Sequence, residues 1–529
     1  MRSTFHGLEV AKRGMFAQQS ALHTTGHNIA NANTPGYTRQ RVNFEQTEPY
    51  PAVSMNRPNI PGQMGTGVEA GSVQRVRESF LDVQYRSENN KLGYWESRAE
   101  ALQKMEEIMN EPSDTGLSKT LDRFWQSFQD LATNPTNAGA RSVVRERGIA
   151  VAETFNYLSN SLKSVQGDLK SELDVSVKAM NSLANQINNI NKQISEIEPH
   201  GYLPNDLYDE RDRLVDQLSS LANIKVTTHP SGGNALKIAE GTYSVELVDD
   251  NGRSIGTLVD AKQQRTNSFA VEYNAENGLV ESVQLGTKKI DILDFNSSGE
   301  LSSLIDSYGY TYTSSDGTVF EKGLYPDMLA DIDTLAFDFA TKLNSVHREG
   351  WSMEDLDPDG DPNTNDATHT PKDFFSFGEG TSLLDSKGAS ALIQVSKAIQ
   401  DSTDHIAAAM PNSDNQVHVG DSQNAIRLAD VKNNSLNIGG NTTTFQNFYE
   451  SVIGGMAVDA QEAERLTTNS GVLKDAVDQR RQSVSAVSLD EEMTNMIQFQ
   501  HAYNASARMI TMQDEILDKI INGMGLSGR

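Results

Sequence analysis

Five aspartates, Asp355, Asp357, Asp359, Asp361 and Asp366, cluster around Gly360 and offer the closely spaced carboxylate oxygens that a calcium ion takes as ligands. A helix-loop-helix calcium site also needs a glycine at its sixth position and a bidentate glutamate at its twelfth, and counted from Asp357 as the first position neither stands at its place. A solvated acidic loop is the reading here, with a cation site as the alternative. His23 and His27 stand four apart on an expected helix, a spacing that can clamp a metal. No third ligand is near, and the glutamate of a metalloprotease helix is missing, so a solvated or interfacial role suits them better. No phosphate-binding glycine loop, dinucleotide glycine pattern or Gly-x-Ser-x-Gly elbow occurs. Cysteine is absent, which removes disulfides and thiolate metal sites. The residue types therefore argue for no catalytic site, no cofactor and no resident metal.

What does repeat with a clear period is apolar. Near the C-terminus, Leu489, Met493, Met496, Tyr503, Ala507, Ile510, Leu517, Ile521 and Met524 follow an alternating three-four spacing broken by Gln500 and Asp514. Near the N-terminus, Leu8, Ala11, Met15, Leu22 and Ile29 keep the same spacing, with Gln18 and Thr25 as polar interruptions. Each stripe is narrow, so each helix wants a partner, and the natural one is the other end of the chain or of a neighbouring copy. The 529-residue chain is too long for a single core and should form several domains of roughly 100 to 200 residues. A formal net charge of -27 argues against nucleic-acid and anionic-membrane partners, which need clustered Lys and Arg. No run of about 18 apolar residues suggests a membrane span. Arg2, His6, Glu9, Lys12 and Arg13 interrupt the start too often for a cleaved secretory signal, so an exported chain would need another route.

Along the chain, the first helix should end near Ile29 to Asn31, because Pro35 pushes Thr34 out of the helical region and Pro35-Gly36 suits the centre of a type II turn. Prolines and glycines from there to about Ser72 predict an extended, loop-rich connector. From Ser79 to Leu221 the period is helical, with turns at Asn110-Glu111-Pro112 and Thr133-Asn134-Pro135. The longest helix precedes Pro199, where Leu162, Leu169, Leu173, Met180, Ile187, Ile190 and Ile194 keep three-four spacing. After Ile224 the period becomes two, with hairpin turns at Asp250-Asn251-Gly252 and Asn277-Gly278. Helix returns at Leu324, and the last helices begin near Thr444; residues 372–436 have no clear period. The reading is a multidomain, mainly α chain with an inserted β domain. Terminal helices (1–36 plus 489–529) form a coiled coil, 37–224 plus 323–488 form a long-helix bundle, and 225–322 form the β domain.

The run from Asn28 to Arg41, Asn-Ile-Ala-Asn-Ala-Asn-Thr-Pro-Gly-Tyr-Thr-Arg-Gln-Arg, resembles the N-terminal signature of the bacterial flagellar rod/hook axial proteins. Val487 to Arg508, Val-Ser-Leu-Asp-Glu-Glu-Met-Thr-Asn-Met-Ile-Gln-Phe-Gln-His-Ala-Tyr-Asn-Ala-Ser-Ala-Arg, resembles their C-terminal counterpart, and the wording of both is most similar to the hook-associated, junction-forming members. The resemblance implies a signature turn at Asn28, Asn31, Asn33, Thr34, Pro35, Gly36 and Tyr37. It implies terminal helices that line the axial channel as an inner coiled-coil layer, a helical domain around them, and a β domain projecting outward. It also implies export through the flagellar type III apparatus without a cleaved signal, and a place at the hook-filament junction outside the cell. The implied partners are copies of the same chain, the hook protein, a second junction protein on the filament side, and an export chaperone on the C-terminal helix. The loop from Asp355 to Thr370 is longer than the family's short turn and reads as a surface insertion. A hook or distal-rod protein is the nearest alternative, and a flagellum-associated wall hydrolase is the alternative from another class.

Overall fold

The computed structural model describes residues 5–51, 54–55, 62–314, 317–356, 368–378, 383, 385–411, 417–438 and 441–523. The acidic positions Asp357, Asp359, Asp361 and Asp366, and Met524 of the C-terminal stripe, lie outside them. Asp355 is described. Its carboxylate accepts the backbone N–H of Ser352 at 2.9 Å and of Thr370 at 3.0 Å, which makes it the clasp at the base of the loop.

The N-terminal apolar stripe becomes α1 (Phe5–Ala30), and the signature turn follows it. The stretch expected as an extended, loop-rich connector carries a paired hairpin that the sequence did not show, β1 (Gln40–Gln46) antiparallel to β2 (Val68–Arg75). Weak alternation hid it, because both strands are largely polar and lie partly exposed. Helices α2 (Ser79–Met109), α3 (Leu117–Thr133) and α4 (Ala138–Ile197) break at the predicted turns. Helix α4 runs for 60 residues because its apolar row is unbroken and buried, from Leu162 to Ile194. Pro199 and Gly201, the latter at φ 83°, stop it, and the chain returns as α5 (Asn205–Leu221).

The stretch 225–322 holds two sheets. Strands β3 (Ile224–His229), β4 (Thr242–Val248), β5 (Ser254–Asp260) and β6 (Arg265–Thr266) form an antiparallel meander. In the other sheet, β7 (Phe269–Tyr273), β8 (Val280–Leu285) and β9 (Lys288–Asp291) are joined by β10 (Tyr310–Thr313), parallel to β8, and its hairpin partner β11 (Val319–Lys322). A helix that the two-residue period gave no sign of, α6 (Glu300–Tyr308), lies between β9 and β10. Helix α7 (Leu324–Glu349) follows.

Between α7 and the last helices, a stretch that includes the aperiodic residues 372–436, the described chain folds into short pieces: α8 (Met353–Leu356), β12 (Phe375–Phe377), α9 (Ala389–Leu392), β13 (Ile393–Val395), α10 (Lys397–Asp401), α11 (Gln423–Asp430), β14 (Leu436–Ile438) and β15 (Asn441–Thr443). Helices α12 (Phe445–Ser485) and α13 (Leu489–Asp518) follow, and a π-helical turn, Lys519–Gly523, ends the described chain.

These elements divide into two compact units, 1–92 with 179–269 and 470–529, and 93–178 with 270–469. The second unit is centred on aromatic rings: Phe124 packs on Phe128, Phe339, Phe374 and Phe375 with centroids 5.1 to 6.0 Å apart. Edge-to-face packing of such rings adds to their large area burial. The first unit contains α1, α13, the β1–β2 hairpin and α5. Among the described residues no helix is long and apolar enough to cross a membrane.

Candidate functional site

In the first unit α1 and α13 lie side by side, and three residue pairs fix their direction. Gly7 faces Gln513, Gly14 faces Ser506, and Asn28 donates to Glu492 at 3.1 Å. Each heptad forward along α1 is matched by a heptad backward along α13, so the helices are antiparallel in one continuous register. A side chain on Gly14 would stand 3.3 Å from Ser506 Oγ, and one on Gly7 would stand 3.0 Å from Gln513. Small residues on α1, Gly7, Ala11, Gly14 and Ala21, therefore let α13 come close. Larger residues on α13 fill the space: Met496, Phe499, Tyr503 and Ile510 occupy the facing register and are half-buried.

This register sorts the stripe residues. Ala11, Met496, Tyr503 and Ile510 lie in the seam, and Leu517 continues it near the end of α1. Leu8, Met15, Leu22 and Ile29 each fall one residue past a seam position, about 100° around the helix, and are half-buried on one flank. Because α13 runs the opposite way, Met493 and Ala507, also one past seam positions, fall on that same flank. Leu489, Met493 and Ile521 are exposed, at 46%, 58% and 69%. The other flank is covered from within: Gly67, just before β2, packs on Val10 and Arg13, the His6 ring bonds to Gly65 O at 3.2 Å, and Phe44 of β1 meets the Phe499 ring at 6.1 Å.

The signature turn closes where the helix pair meets the rest of the unit. Tyr37 N–H bonds to Thr34 O at 3.1 Å, and Gly36 takes the left-handed φ of 82° that the third position of a type II turn requires. Asn31 and Thr34 brace the turn, with the Asn31 amide on His27 O at 3.1 Å and the Thr34 hydroxyl on Asn31 Oδ1 at 3.2 Å. Asn33, Thr34, Pro35 and Gly36 point to solvent. Asn28 is the hub. Its amide donates to Gln40 O at 2.8 Å and to Glu492, while its oxygen accepts Gln40 N–H at 3.0 Å and the Tyr37 hydroxyl at 2.8 Å. Burial, followed by Asp206, Asp209 and Glu492, pushes the Tyr37 phenol well above its ordinary range, so it stays a donor. Arg39 then spans Glu491 and Glu492, both at 2.8 Å, in the first turn of α13, where carboxylates also suit the helix N-terminus. His23 is exposed, and His27 turns to Tyr37 at 3.0 Å.

A second feature had no place in the sequence reading. Behind the turn, five arginines meet five carboxylates. Arg75 pairs with Asp209, Asp212 and Glu240; Arg77 with Asp82 and Asp212; Arg86 with Asp212 and Asp216; Arg211 with Glu240; Arg481 with Asp82 and Asp216. Burial alone would raise the Asp212 carboxyl, but Arg77, Arg75, Arg86 and Arg211 hold it far below the usual range. The legible signal was on α5, where Asp209, Asp212 and Asp216 share the three-four spacing of a buried face. This cluster ties the hairpin, α2, α5 and the end of α12 together, so the turn stands on a charge-balanced base.

A seam of small residues, one open apolar flank and a polar hub at its root define a subunit built to be packed, and the comparisons give that class a name. The family model described as "Flagella basal body rod protein" matches residues 8–38, which is most of α1 and its turn. "Flagellar basal body rod FlgEFG protein C-terminal" matches 478–523, the end of α12 and α13. Both ends are those of flagellar axial structural proteins. Between them, "Flagellar hook-associated protein FlgK helical domain" matches 102–365. Flagellar hook-associated protein 1 of Bacillus subtilis is 49% identical over the full length of both chains, and that of Salmonella typhimurium is 25% identical over 97% of this chain and 98% of its own. The flagellar hook junction protein FlgK from Burkholderia pseudomallei has a similar fold, with a TM-score of 0.56 at 14% identity over 77% of this chain and all of its own. The chain belongs to the flagellar hook-associated protein 1 family and is a structural component of the bacterial flagellum.

Proposed function

We propose that the chain polymerises at the distal end of the hook and forms the junction that joins hook to filament, without catalysing a reaction or taking a cofactor. The observation that carries this reading is the asymmetry of the terminal helix pair. The flank beside His6, Val10 and Arg13 is covered in part by the chain's own hairpin region, and the other leaves Leu8, Met15, Leu22, Ile29 and Ala507 half-buried and Met493 exposed for neighbours to cover. Covering such a flank in an assembly removes apolar surface from water at about 25 cal/mol per Å². Copies of the same chain are the first partners. Hook protein on one side and a second junction protein on the other complete the stack, and the exposed tip of the signature turn is available to them.

Along its last turns α13 carries Met509, Met512 and Ile516, each one residue before a seam position, and Ile520 follows just past its end; each is at least 40% exposed. A chain in transit would need that stripe shielded, which supports an export chaperone on the C-terminal helix and export without a cleaved signal. The test is complementation of a strain lacking the chromosomal copy with the Met15→Asp, Leu22→Asp double variant, followed by immunogold labelling of isolated flagella. Wild type should label a narrow band at the hook-filament boundary, and the variant should leave bare hooks. Normal filaments on the variant would sink the proposal.

A further inference from the structure

In the second unit, residues 402–409 lie across three helices as a strap. Arg141 of α4 donates to Thr403 O at 3.3 Å and Ile406 O at 2.7 Å, and Asn424 of α11 donates to Ala407 O at 2.8 Å. Ala409 exchanges both backbone hydrogen bonds with Trp351, just past the end of α7. Two histidines complete the fastening, and their partners demand opposite charge states. His347 of α7 is buried, with Nδ1 2.8 Å from Lys372 O and Nε2 3.0 Å from the backbone N–H of Ala407. The first partner accepts and the second donates, so only the neutral ring serves both. His405, within the strap, has Nδ1 2.7 Å from Ala398 O and Nε2 against the Glu354 carboxylate. Both of these partners accept, so only the imidazolium serves both. Lys372 links the two sites, since its carbonyl takes the His347 proton and its ammonium shares Glu354. The other charged groups nearby are Arg141 from α4, Asp355 from α8 and Asp373 around His347, and Asp404 within the strap beside Arg141. Arg145 from α4 reaches Gln400 O at 3.4 Å.

We propose that the two histidines form a proton-operated latch on this strap, in which His405 fastens the first half only when charged and His347 fastens the second half only when neutral. A neutral His405 ring can donate to only one of Ala398 and Glu354, so in that form the stretch 402–406 loses one of its ties while Arg141, Asn424 and His347 keep the rest of the strap in place. A histidine side chain ordinarily changes charge between about pH 5 and 8.

Hydrogen-deuterium exchange on the full chain tests the latch, read by mass spectrometry on peptides covering 398–406 and 407–411. Measurements at pH 5.5 and pH 8 are corrected for the intrinsic pH dependence of amide exchange. The first peptide should be about tenfold better protected at pH 5.5, as expected for one charge-assisted hydrogen bond, and the second should be equally protected at both. His405→Gln and Glu354→Gln should each remove the pH dependence of the first peptide. Equal protection at both pH values in the wild type overturns the proposal, and so does a pH dependence that survives both substitutions.

Discussion

Asn28 uses all four of its hydrogen-bonding positions inside the protein, on Gln40 twice, on Tyr37 and on Glu492. Removing it would leave the Gln40 peptide and the Glu492 carboxylate facing a void, and each buried group left unpaired costs about 1–3 kcal/mol. Asn28→Ala should therefore lower the urea midpoint of the first unit by the equivalent of about 2–4 kcal/mol, whereas Asn33→Ala, at an exposed turn position, should change it little. His347 gives a prediction with a sign. Burial lowers its pKa from 6.5 to about 4, so between those values the unfolded chain holds the extra proton and the folded chain does not. Stability must then fall as pH drops through this window, by up to about 3 kcal/mol in total, and level off below it. Urea unfolding at pH 7.5 and pH 4.5 should show a smaller loss in His347→Gln than in wild type. Other titrating groups act equally on both chains, so the difference isolates this ring.

The helices announce themselves by long apolar rows and by Pro-Gly punctuation, and so α4, α7 and α13 could be read from spacing alone. The hairpin β1–β2 could not, because strands that cover a helix flank with polar residues lack a clean alternation. The seam between α1 and α13 was half legible. A search for large apolar residues finds Leu8, Met15, Leu22 and Ile29, yet close antiparallel approach selects the smallest residues, and Gly7, Gly14 and Ala21 stand in the contact one position earlier. The charge cluster was illegible for a different reason: arginines from separate stretches converge on the α5 carboxylates, and sequence shows only the carboxylates' spacing. The register itself can be checked, because the chain has no cysteine to interfere. A Cβ on Gly14 would stand 3.3 Å from Ser506 Oγ, so Gly14→Cys with Ser506→Cys should close a disulfide, whose Cβ atoms sit about 3.5–4.5 Å apart. Oxidised flagella should yield a monomer with altered gel mobility from that pair. Gly14→Cys with Gln513→Cys, one heptad out of register, should yield none.

At the scale of the whole molecule, two terms oppose each other. Every copy carries a formal charge of -27, so copies repel as they approach. The five arginines of the cluster are already matched by five carboxylates, and they leave no excess positive charge to offset that repulsion. The open flank of the terminal pair supplies the attraction, and it is apolar, so salt hardly weakens it. Screening acts on the repulsive term alone: the Debye length shrinks from about 30 Å at 0.01 M salt to about 8 Å at 0.15 M. Association of the purified chain should accordingly strengthen as sodium chloride is raised across that range, measured as weight-average mass by sedimentation velocity. The Met15→Asp, Leu22→Asp variant should stay monomeric throughout, since it loses the attraction and adds charge to the flank. Copies held together by ion pairs would show the reverse, with added salt dissolving the assembly. The direction of the salt response thus separates packing through the terminal flank from assembly through surface charge.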